Sequence, residues 1–285
     1  MKLDAHAVAG TAAGLIAAAA LHPLDTIKVH FQVQDGVVNA ARFTTLRGAV
    51  AHIWERDGMR GFYRGVGAAC VGSGASWGLY FYFYEAAKRR VSGPENRPTS
   101  LQTAYAAWEG GTLTSLLTNP IWLVKTRMQL QGDGGVGKRA PYASLGNALA
   151  SIVREEGVRG LYRGIVPALL LTSHGVVQFT SYEFMKREFA SKPGEDDSAR
   201  LLAFGVSSKA AAAFTTYPYQ VIKARVQQRF DGTPEYRGLV DCAQKIMRRE
   251  GARGFYKGFV ANILRVAPQS ALTLLAYERI RAAIE

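Results

Sequence analysis

No window in this chain offers the run of about 18 uncharged apolar residues that usually marks a membrane span, and mean hydropathy is only −0.03. Apolar residues make up 48%, close to an ordinary globular average. Hydropathy therefore neither establishes nor excludes a membrane protein, because helices lining a water-filled cavity keep a polar face. Cysteine is equally scarce. Cys70 and Cys242 are the only two; they lie far apart without metal-ligand spacing, which excludes a disulfide framework and a zinc site. The five histidines follow no spacing logic, so no metal cluster and no nucleophile–base pair can be assembled, and no catalytic residue is assigned. The opening MKLDAHAVAGTAAG carries no Arg- and Ser-rich transit peptide and no charged n-region with a small-residue cleavage site. Organelle targeting is then expected to reside in the rest of the chain. Acidic residues are few: 22 Asp and Glu stand against 35 Lys and Arg, a formal net charge of +13. That balance admits a nucleic-acid binder, a membrane protein facing anionic lipid, or a carrier of anions.

What the chain has in abundance is repetition. HPLDTIKVHFQ from His22, NPIWLVKTRMQ from Asn119 and YPYQVIKARVQ from Tyr217 align without gaps. Five residues after each proline (Pro23, Pro120, Pro218) comes a lysine (Lys28, Lys125, Lys223), and nine after it a glutamine (Gln32, Gln129, Gln227). A second triplet follows: DGMRGFYRG from Asp57, EGVRGLYRG from Glu156 and EGARGFYKG from Glu250. A third closes each unit: Tyr84-Glu85-x-x-Lys88, Tyr182-Glu183-x-x-Lys186 and Tyr277-Glu278-x-x-Arg281. Nine blocks in one order and near-equal spacing mark three copies of one structural unit.

Each unit reads as a helix, a loop with a short surface helix, and a second helix. The units are expected at 1–92, 99–190 and 197–285, divided by the polar, proline-bearing linkers Pro94–Pro98 and Pro193–Ser198. The first long helix, about residues 7–32, carries Gly10 and Gly14 in a spacing that suits close packing in lipid. It is expected to kink at Pro23, whose ring removes a backbone bond and crowds the preceding turn. The second helix runs from Val66 to Arg89; the pair recurs at 103–131 and 165–189, then at 200–228 and 260–283. Amphipathic segments such as Leu46–Trp54 and Val240–Met247 lie between the members of a pair. Three helix pairs that cannot bury their faces alone predict an all-α membrane protein. Its architecture is six transmembrane helices in a pseudo-threefold barrel, with short surface helices and both termini on one side.

The Pro-x-[Asp/Glu]-x-x-[Lys/Arg] block, then the acidic-Gly…aromatic-basic-Gly block, three times over, resembles the mitochondrial carrier family across essentially the whole chain. Within it, Asn119–Gln129, Ser76-Trp77-Gly-Leu-Tyr-Phe, Ser173-His174-Gly175 with Gln178-Phe, and Tyr217-Pro-Tyr-Gln220 resemble the folate/FAD branch, above all the plant-type folate carriers of the chloroplast envelope. The resemblance implies a transporter with alternating access, functional as a monomer, in the mitochondrial inner membrane or, alternatively, the chloroplast envelope, with its termini facing the cytoplasm. It implies a matrix-side gate of Asp25, Lys28, Lys125 and Lys223 with Gln32, Gln129 and Gln227. It also implies a cytoplasmic-side gate pairing Glu85 with Lys186, Glu183 with Arg281, and Glu278 with Lys88. The lower gate departs from the family pattern, which wants an acid two residues after each proline. Only Asp25 satisfies it; Trp122 and Gln220 occupy the other places. Asp25–Lys125 is therefore expected to form, leaving Lys28 and Lys223 without carboxylate partners. With three pairs at one end and one at the other, the empty protein is expected to rest closed toward the cytoplasm.

Arg64-Gly65, Arg163-Gly164 and Lys257-Gly258 stand where the second helix of each unit begins. Unpaired N–H groups and the positive dipole end make that a seat for a lipid phosphate, cardiolipin by the resemblance; an interfacial belt of aromatic and basic residues is the alternative reading. Candidate substrate contacts are Trp122, Arg265, His174, Trp77, Gln220 and Lys223, because an ionisable residue within a span is costly and an aromatic at a gate position offers a stacking face. Glu109 and Lys209, both inside helices, either pair with each other or touch substrate. Gly132–Lys138 imitates a P-loop, but the following Ser or Thr and the preceding strand are missing, so it is a loop. A nucleic-acid partner is not expected, since the basic residues recur at repeat positions instead of covering one polar face. The expected cargo is a small anion: a folate derivative of the tetrahydrofolate type, alternatively FAD, then NAD or a pyrimidine nucleotide, carried as substrate with no bound cofactor.

Overall fold

Helix follows helix along the chain, as the repeat requires. The computed structural model describes residues 12–35, 43–92, 99–131, 141–189, 198–229 and 235–284. Gly10, the P-loop-like stretch 132–138, the two linkers up to Ser198, and the side chains of Tyr277 and Arg281 lie outside the described residues.

The first unit comprises α1 (Ala12–Ala20) and α2 (His22–Val33), then α3 (Leu46–Phe62) and α4 (Val66–Ser92). In the second, α5 (Ser100–Leu130) leads to α6 (Leu145–Glu156), a 3-10 turn at Val158–Tyr162, α7 (Ile165–Leu170) and α8 (Ser173–Glu188). The third has α9 (Ser198–Gln227), α10 (Leu239–Glu250), a 3-10 turn at Ala252–Tyr256, and α11 (Phe259–Ile284). No strand occurs among the described residues. No single described helix is long and apolar enough to cross a membrane; the bent pair α1–α2 is, by length and composition.

Proline acts differently in the three units. At Pro23, in the first turn of α2, the helix breaks and α1 meets α2 at 57°, whereas α5 and α9 run on through Pro120 and Pro218. The expected helix over 165–189 is itself broken. Thr172 Oγ1 donates to the Leu169 carbonyl at 2.7 Å and Ser173 Oγ to Leu170 at 2.6 Å, so hydroxyls serve the carbonyls that the interrupted ladder leaves. Among the described residues nothing approaches Gly14: a Cβ there would meet no atom within 4 Å.

The residue before each proline ties its helix to its own unit's loop. His22 Nε2 bonds the Arg64 carbonyl at 2.9 Å, Asn119 Nδ2 donates to Leu161 at 2.8 Å, and the Tyr217 hydroxyl donates to Lys257 at 3.0 Å. Three different side chains thus perform one task. The loop then turns through the basic-Gly pair. Gly65 and Gly258 have φ of 81°, and a Cβ on them would come within 3.0 Å of the carbonyls of Lys125 and Lys28, which belong to the next unit around the ring. Glycine supplies both the left-handed backbone and the close approach.

Each unit buries a small core where its surface helix packs on its first long helix. Ile53 with Ile27, Ile152 with Leu123 and Val124, and Ile246 with Val221 and Ile222 anchor these clusters. A fourth cluster, Val29, Val33, Leu130 and Ala224, draws one wall from every unit. In space α4 packs on α5, α8 on α9, and α11 returns to α2.

Candidate functional site

Above that fourth cluster lies a cavity of about 920 Å³, lined from α2, α5, the Leu171 break, α8, α9 and α11. Its floor is the region of the Pro–Lys blocks. Asp25 and Lys125 form the expected ion pair, reinforced by Gln129, whose Nε2 donates to Asp25 Oδ2 at 3.1 Å and Thr26 Oγ1 at 3.2 Å. Lys28 has no carboxylate opposite it. Its Nζ donates instead to Gln220 Oε1 at 2.9 Å, so Gln220, expected to touch substrate, is engaged by Lys28. Lys223 and Gln32 line the cavity, and so does Gln227, which accepts from Thr126 Oγ1 at 3.2 Å and donates to the Arg163 carbonyl at 3.3 Å.

Trp122 faces this cavity. Its indole Nε1 donates to Ser76 Oγ at 3.2 Å, and the Lys125 ammonium sits 6.0 Å from its ring centroid. Gly72, one helical turn before Ser76, leaves room for the indole: a Cβ there would lie 3.4 Å from its six-membered ring. Arg265 leans over the floor, with Nη1 donating to Gln269 at 2.7 Å and Nε 3.7 Å from Asp25 Oδ1. His174 lines the cavity with Nδ1 2.9 Å from Thr216 Oγ1.

Several expectations need correction. Trp77 is 61% exposed, stacked on Phe81 at 5.7 Å, and is not among the cavity-lining residues. On α4, Gly72 and Ser76 face Trp122, and the next residue is rotated about 100° away. Glu109 pairs with Arg90 across the α4–α5 contact and not with Lys209, which lines the cavity. At the far end, among the described residues, the expected Glu85–Lys186 and Glu278–Lys88 pairs are not made, and the Glu183–Arg281 pair lies outside the described residues. Glu85 lies 3.6 Å from Lys88 on its own helix, and Glu183, Lys186 and Glu278 are exposed. In this conformation the ion-paired end of the cavity is the Asp25 end, not the Glu85 end at which closure was expected. A second layer of ion pairs lies beneath the Asp25 end.

That layer was missed. Arg127 and Arg225, both buried, hold Glu156 and Glu250 with two contacts each. Their Nε atoms reach the next unit, at the Gln227 carbonyl (3.0 Å) and the Gln32 carbonyl (2.9 Å). The signal was present: both arginines stand seven residues after their proline, and both acids open the second block. The first unit has His30 at that place, and Asp57 is met instead by Arg56 at 2.6 Å and by Arg64 at 2.7 and 2.8 Å. The side chains assigned to lipid phosphate belong to the same layer. Arg64 also donates to the Gln131 carbonyl at 2.6 Å, Arg163 lies 3.3 Å from Glu156, and Lys257 meets Glu250 at 2.6 Å and the Gln34 carbonyl at 2.7 Å. Gly65, Gly164 and Gly258 pack against the neighbouring unit.

Comparison with known proteins decides what this threefold frame is. The family model described as mitochondrial carrier protein matches three times, at residues 2–95, 96–193 and 194–285. The chain belongs to the mitochondrial carrier family. It is 43% identical to Folate transporter 1, chloroplastic, of Arabidopsis thaliana, over 96% of this chain and 94% of that one. It is 37% identical to Nicotinamide adenine dinucleotide transporter 1, chloroplastic, of the same plant, over 96% of this chain and 90% of the relative. The Mitochondrial nicotinamide adenine dinucleotide transporter 1 of Saccharomyces cerevisiae is 32% identical, over 98% and 77%. Membership makes the chain a membrane transporter of a small molecule, and its carrier relatives are named as mitochondrial or chloroplastic.

Proposed function

We propose that this carrier moves a folate derivative of the tetrahydrofolate type across its membrane by alternating access. The observation that carries the reading is Trp122: an indole held by Ser76 at the floor of a cavity that also presents Lys223 and Arg265. An aromatic face beside cations suits a flat heterocycle bearing carboxylates, and the family pattern would have an acid there, which repels such an anion. Stacking contributes about 1–3 kcal/mol per ring by analogy with base–aromatic contacts. The relative named as a folate transporter supports the same assignment. Relatives named as nicotinamide adenine dinucleotide transporters keep NAD as the second reading, with FAD and pyrimidine nucleotides behind it.

In this reading the three units form repeats at 1–92, 99–190 and 197–285, and six spanning helices make a pseudo-threefold barrel that works as a monomer. Asp25, Lys28, Lys125 and Lys223 with their glutamines close the matrix side in the present conformation. Glu85, Lys88, Glu183, Lys186, Glu278 and Arg281 close the cytoplasmic side in the alternate one. A lipid phosphate, cardiolipin in kind, docks where Arg64-Gly65, Arg163-Gly164 and Lys257-Gly258 open the second helix of each unit; beside Arg163 and Gly164 a smaller cavity of about 390 Å³ opens between α7 and α10. The membrane is the mitochondrial inner membrane or the chloroplast envelope.

Purified full-length protein in liposomes tests the cargo. Saturable uptake of labelled 5-formyltetrahydrofolate, exceeding that of FAD, NAD and pyrimidine nucleotides, is expected. A protein that moves only nucleotides refutes the folate assignment.

A further inference from the structure

The seams at which neighbouring units meet, α4 on α5, α8 on α9 and α11 on α2, are equivalent by repeat position but not by chemistry. The α4–α5 seam is fastened along its length. At the cavity floor Trp122 Nε1 donates to Ser76 Oγ at 3.2 Å. About three turns towards the start of α5, the two backbones touch: a Cβ on Gly110 would lie 3.0 Å from the Tyr84 nitrogen and 3.2 Å from its Cα. A turn nearer the Glu85 end, Ala87 and Ala106 are buried on the two helices; small residues at such a crossing let helices approach closely. At that end Arg90 Nη2 donates to both carboxylate oxygens of Glu109, and Gln102 Nε2 donates to the Val91 carbonyl at 2.7 Å.

The Arg90–Glu109 clip has no counterpart in the repeat. Arg90 stands five residues after Glu85; the same place after Glu183 and Glu278 holds Glu188 and Ala283. Glu109 stands eleven before Pro120; the same place before Pro218 and Pro23 holds Ser207 and Ala12. Neither of the other seams can form an ion pair from these positions. The Arg90 side chain is 62% exposed, and an exposed pair by itself contributes little. What it adds is a fixed register for a seam that the Gly110 crossing already holds close. The α8–α9 seam is the opposite case. Its helix is broken between Leu170 and Ser173, and α8 buries no residue, whereas α4 buries Ala68, Ala69, Gly72 and Ala87. It meets α9 through His174 Nδ1 and Thr216 Oγ1 at 2.9 Å and through the rings of Phe189 and Phe204, 6.3 Å between centroids. An element with few buried contacts is the one that opens at low cost.

We propose that α4 and α5 move as one body through the transport cycle, clipped at Arg90–Glu109, and that the Glu85 end closes by movement along the α8–α9 seam. The inference rests on the alternating-access reading. Glu85 and Lys88 then stand on a fixed post, and Lys186 and Glu278 travel to it. Trp122 keeps its bond to Ser76 while the cavity changes around it, so the stacking face is presented unaltered to both sides of the membrane. A threefold frame thus works asymmetrically, as a rigid-body displacement of one packed element past another.

The test straps each seam in the full-length protein in liposomes, in a Cys70→Ser, Cys242→Ser background. Arg90→Cys with Glu109→Cys, and separately Phe189→Cys with Phe204→Cys, are linked by the same short, reducible bis-methanethiosulfonate. Linking is read from the loss of both free thiols. Uptake is read with whichever of 5-formyltetrahydrofolate, FAD and NAD the wild type moves fastest, so the identity of the cargo does not decide the outcome. Uptake is expected to be the same before and after α4 is strapped to α5. With α8 strapped to α9 it is expected to fall to background and to return on reduction. Uptake lost on strapping α4 to α5 overturns the proposal and leaves alternating access standing. Uptake that survives both straps overturns the proposal and the alternating-access reading together. Thiols on α4 and α5 that react singly but never link would place the two helices apart, and that also overturns the proposal.

Discussion

Arg225 and Glu250 bind each other through both prongs of the guanidinium, and the same arginine, 0% exposed, passes its Nε to the Gln32 carbonyl of the first unit at 2.9 Å. One side chain therefore joins a long helix to its own surface helix and to the neighbouring unit. Arg127 and Glu156 repeat the arrangement with Gln227 as the third partner. The first unit replaces the buried arginine with His30 and meets Asp57 from Arg56 and Arg64, whose side chains are partly exposed.

Removing one partner of a buried pair leaves an uncompensated charge and costs about 3–5 kcal/mol. Glu250→Gln and Glu156→Gln are expected to lower the thermal midpoint of the detergent-solubilised protein by a large step. Asp57→Asn should cost less, because solvent can rehydrate Arg56 and Arg64. Equal midpoints for all three variants would contradict this ranking.

Arg64 and Arg163 occupy equivalent positions with unequal duties. Arg64 makes two bonds to Asp57 and one to Gln131, whereas Arg163 adds one 3.3 Å contact to a Glu156 that Arg127 already holds. Arg64→Ala is expected to destabilise by about 1–3 kcal/mol, the usual cost of stranding a buried polar partner, and Arg163→Ala by less. Thermal unfolding of the two variants side by side decides it.

Acid should loosen the same layer. Burial works to raise the Glu250 carboxyl, but hydrogen bonds from Arg225 and Lys257 outweigh it and hold the group below its ordinary value of 4.5. A depressed carboxylate contributes stability that is fully present above its unfolded value and is lost as pH falls through the folded one. The thermal midpoint is thus expected to be insensitive to Glu250 at neutral pH and to drop below about pH 4.5, with a smaller drop in Glu250→Gln. Identical acid profiles for wild type and variant would refute the assignment.

Cys242 offers a reporter for these measurements. Its thiol is 0% exposed, and burial is the main cause that pushes its pKa up to about 12. In a Cys70→Ser background, maleimide labelling at neutral pH should be slow until the third unit unfolds. Rapid labelling of the folded protein would contradict the packing of α10.

For the cargo, Trp122→Ala is expected to reduce folate uptake by roughly 5- to 150-fold, the equivalent of about 1–3 kcal/mol of stacking. Trp122→Phe keeps a ring but loses the bond to Ser76, and it should fall between. Normal uptake by Trp122→Ala would remove the stacking role.

The sequence by itself determined the three units, the order of their helices and the family, and the resemblance to that family implied the Asp25–Lys125 contact. The units and the family follow from chemistry at short, fixed offsets: a proline, a lysine five residues on, a glutamine nine on. Such offsets survive because one helical segment carries them, and threefold recurrence amplifies them. The break of the second unit's helix before His174 was not legible, since its cause is a choice by Thr172 and Ser173 between solvent and backbone carbonyls.

Which charge meets which was decided by the tertiary structure. Gln220 and Lys28, Arg265 and Asp25, Arg127 and the Gln227 carbonyl all pair between different units. The closing contact of α11 with α2 brings the last helix of the chain against the first unit, at separations where no periodicity carries information. Trp77 and Trp122 make the same point within the helices. Both are tryptophans within long helices, yet the rotation of α4 sends one outward, and the absence of a side chain on Gly72 lets the other settle against that helix, over the cavity floor. A residue's neighbours across the cavity depend on how three helix pairs close on one another, and that closure is a property of packing among all of them at once.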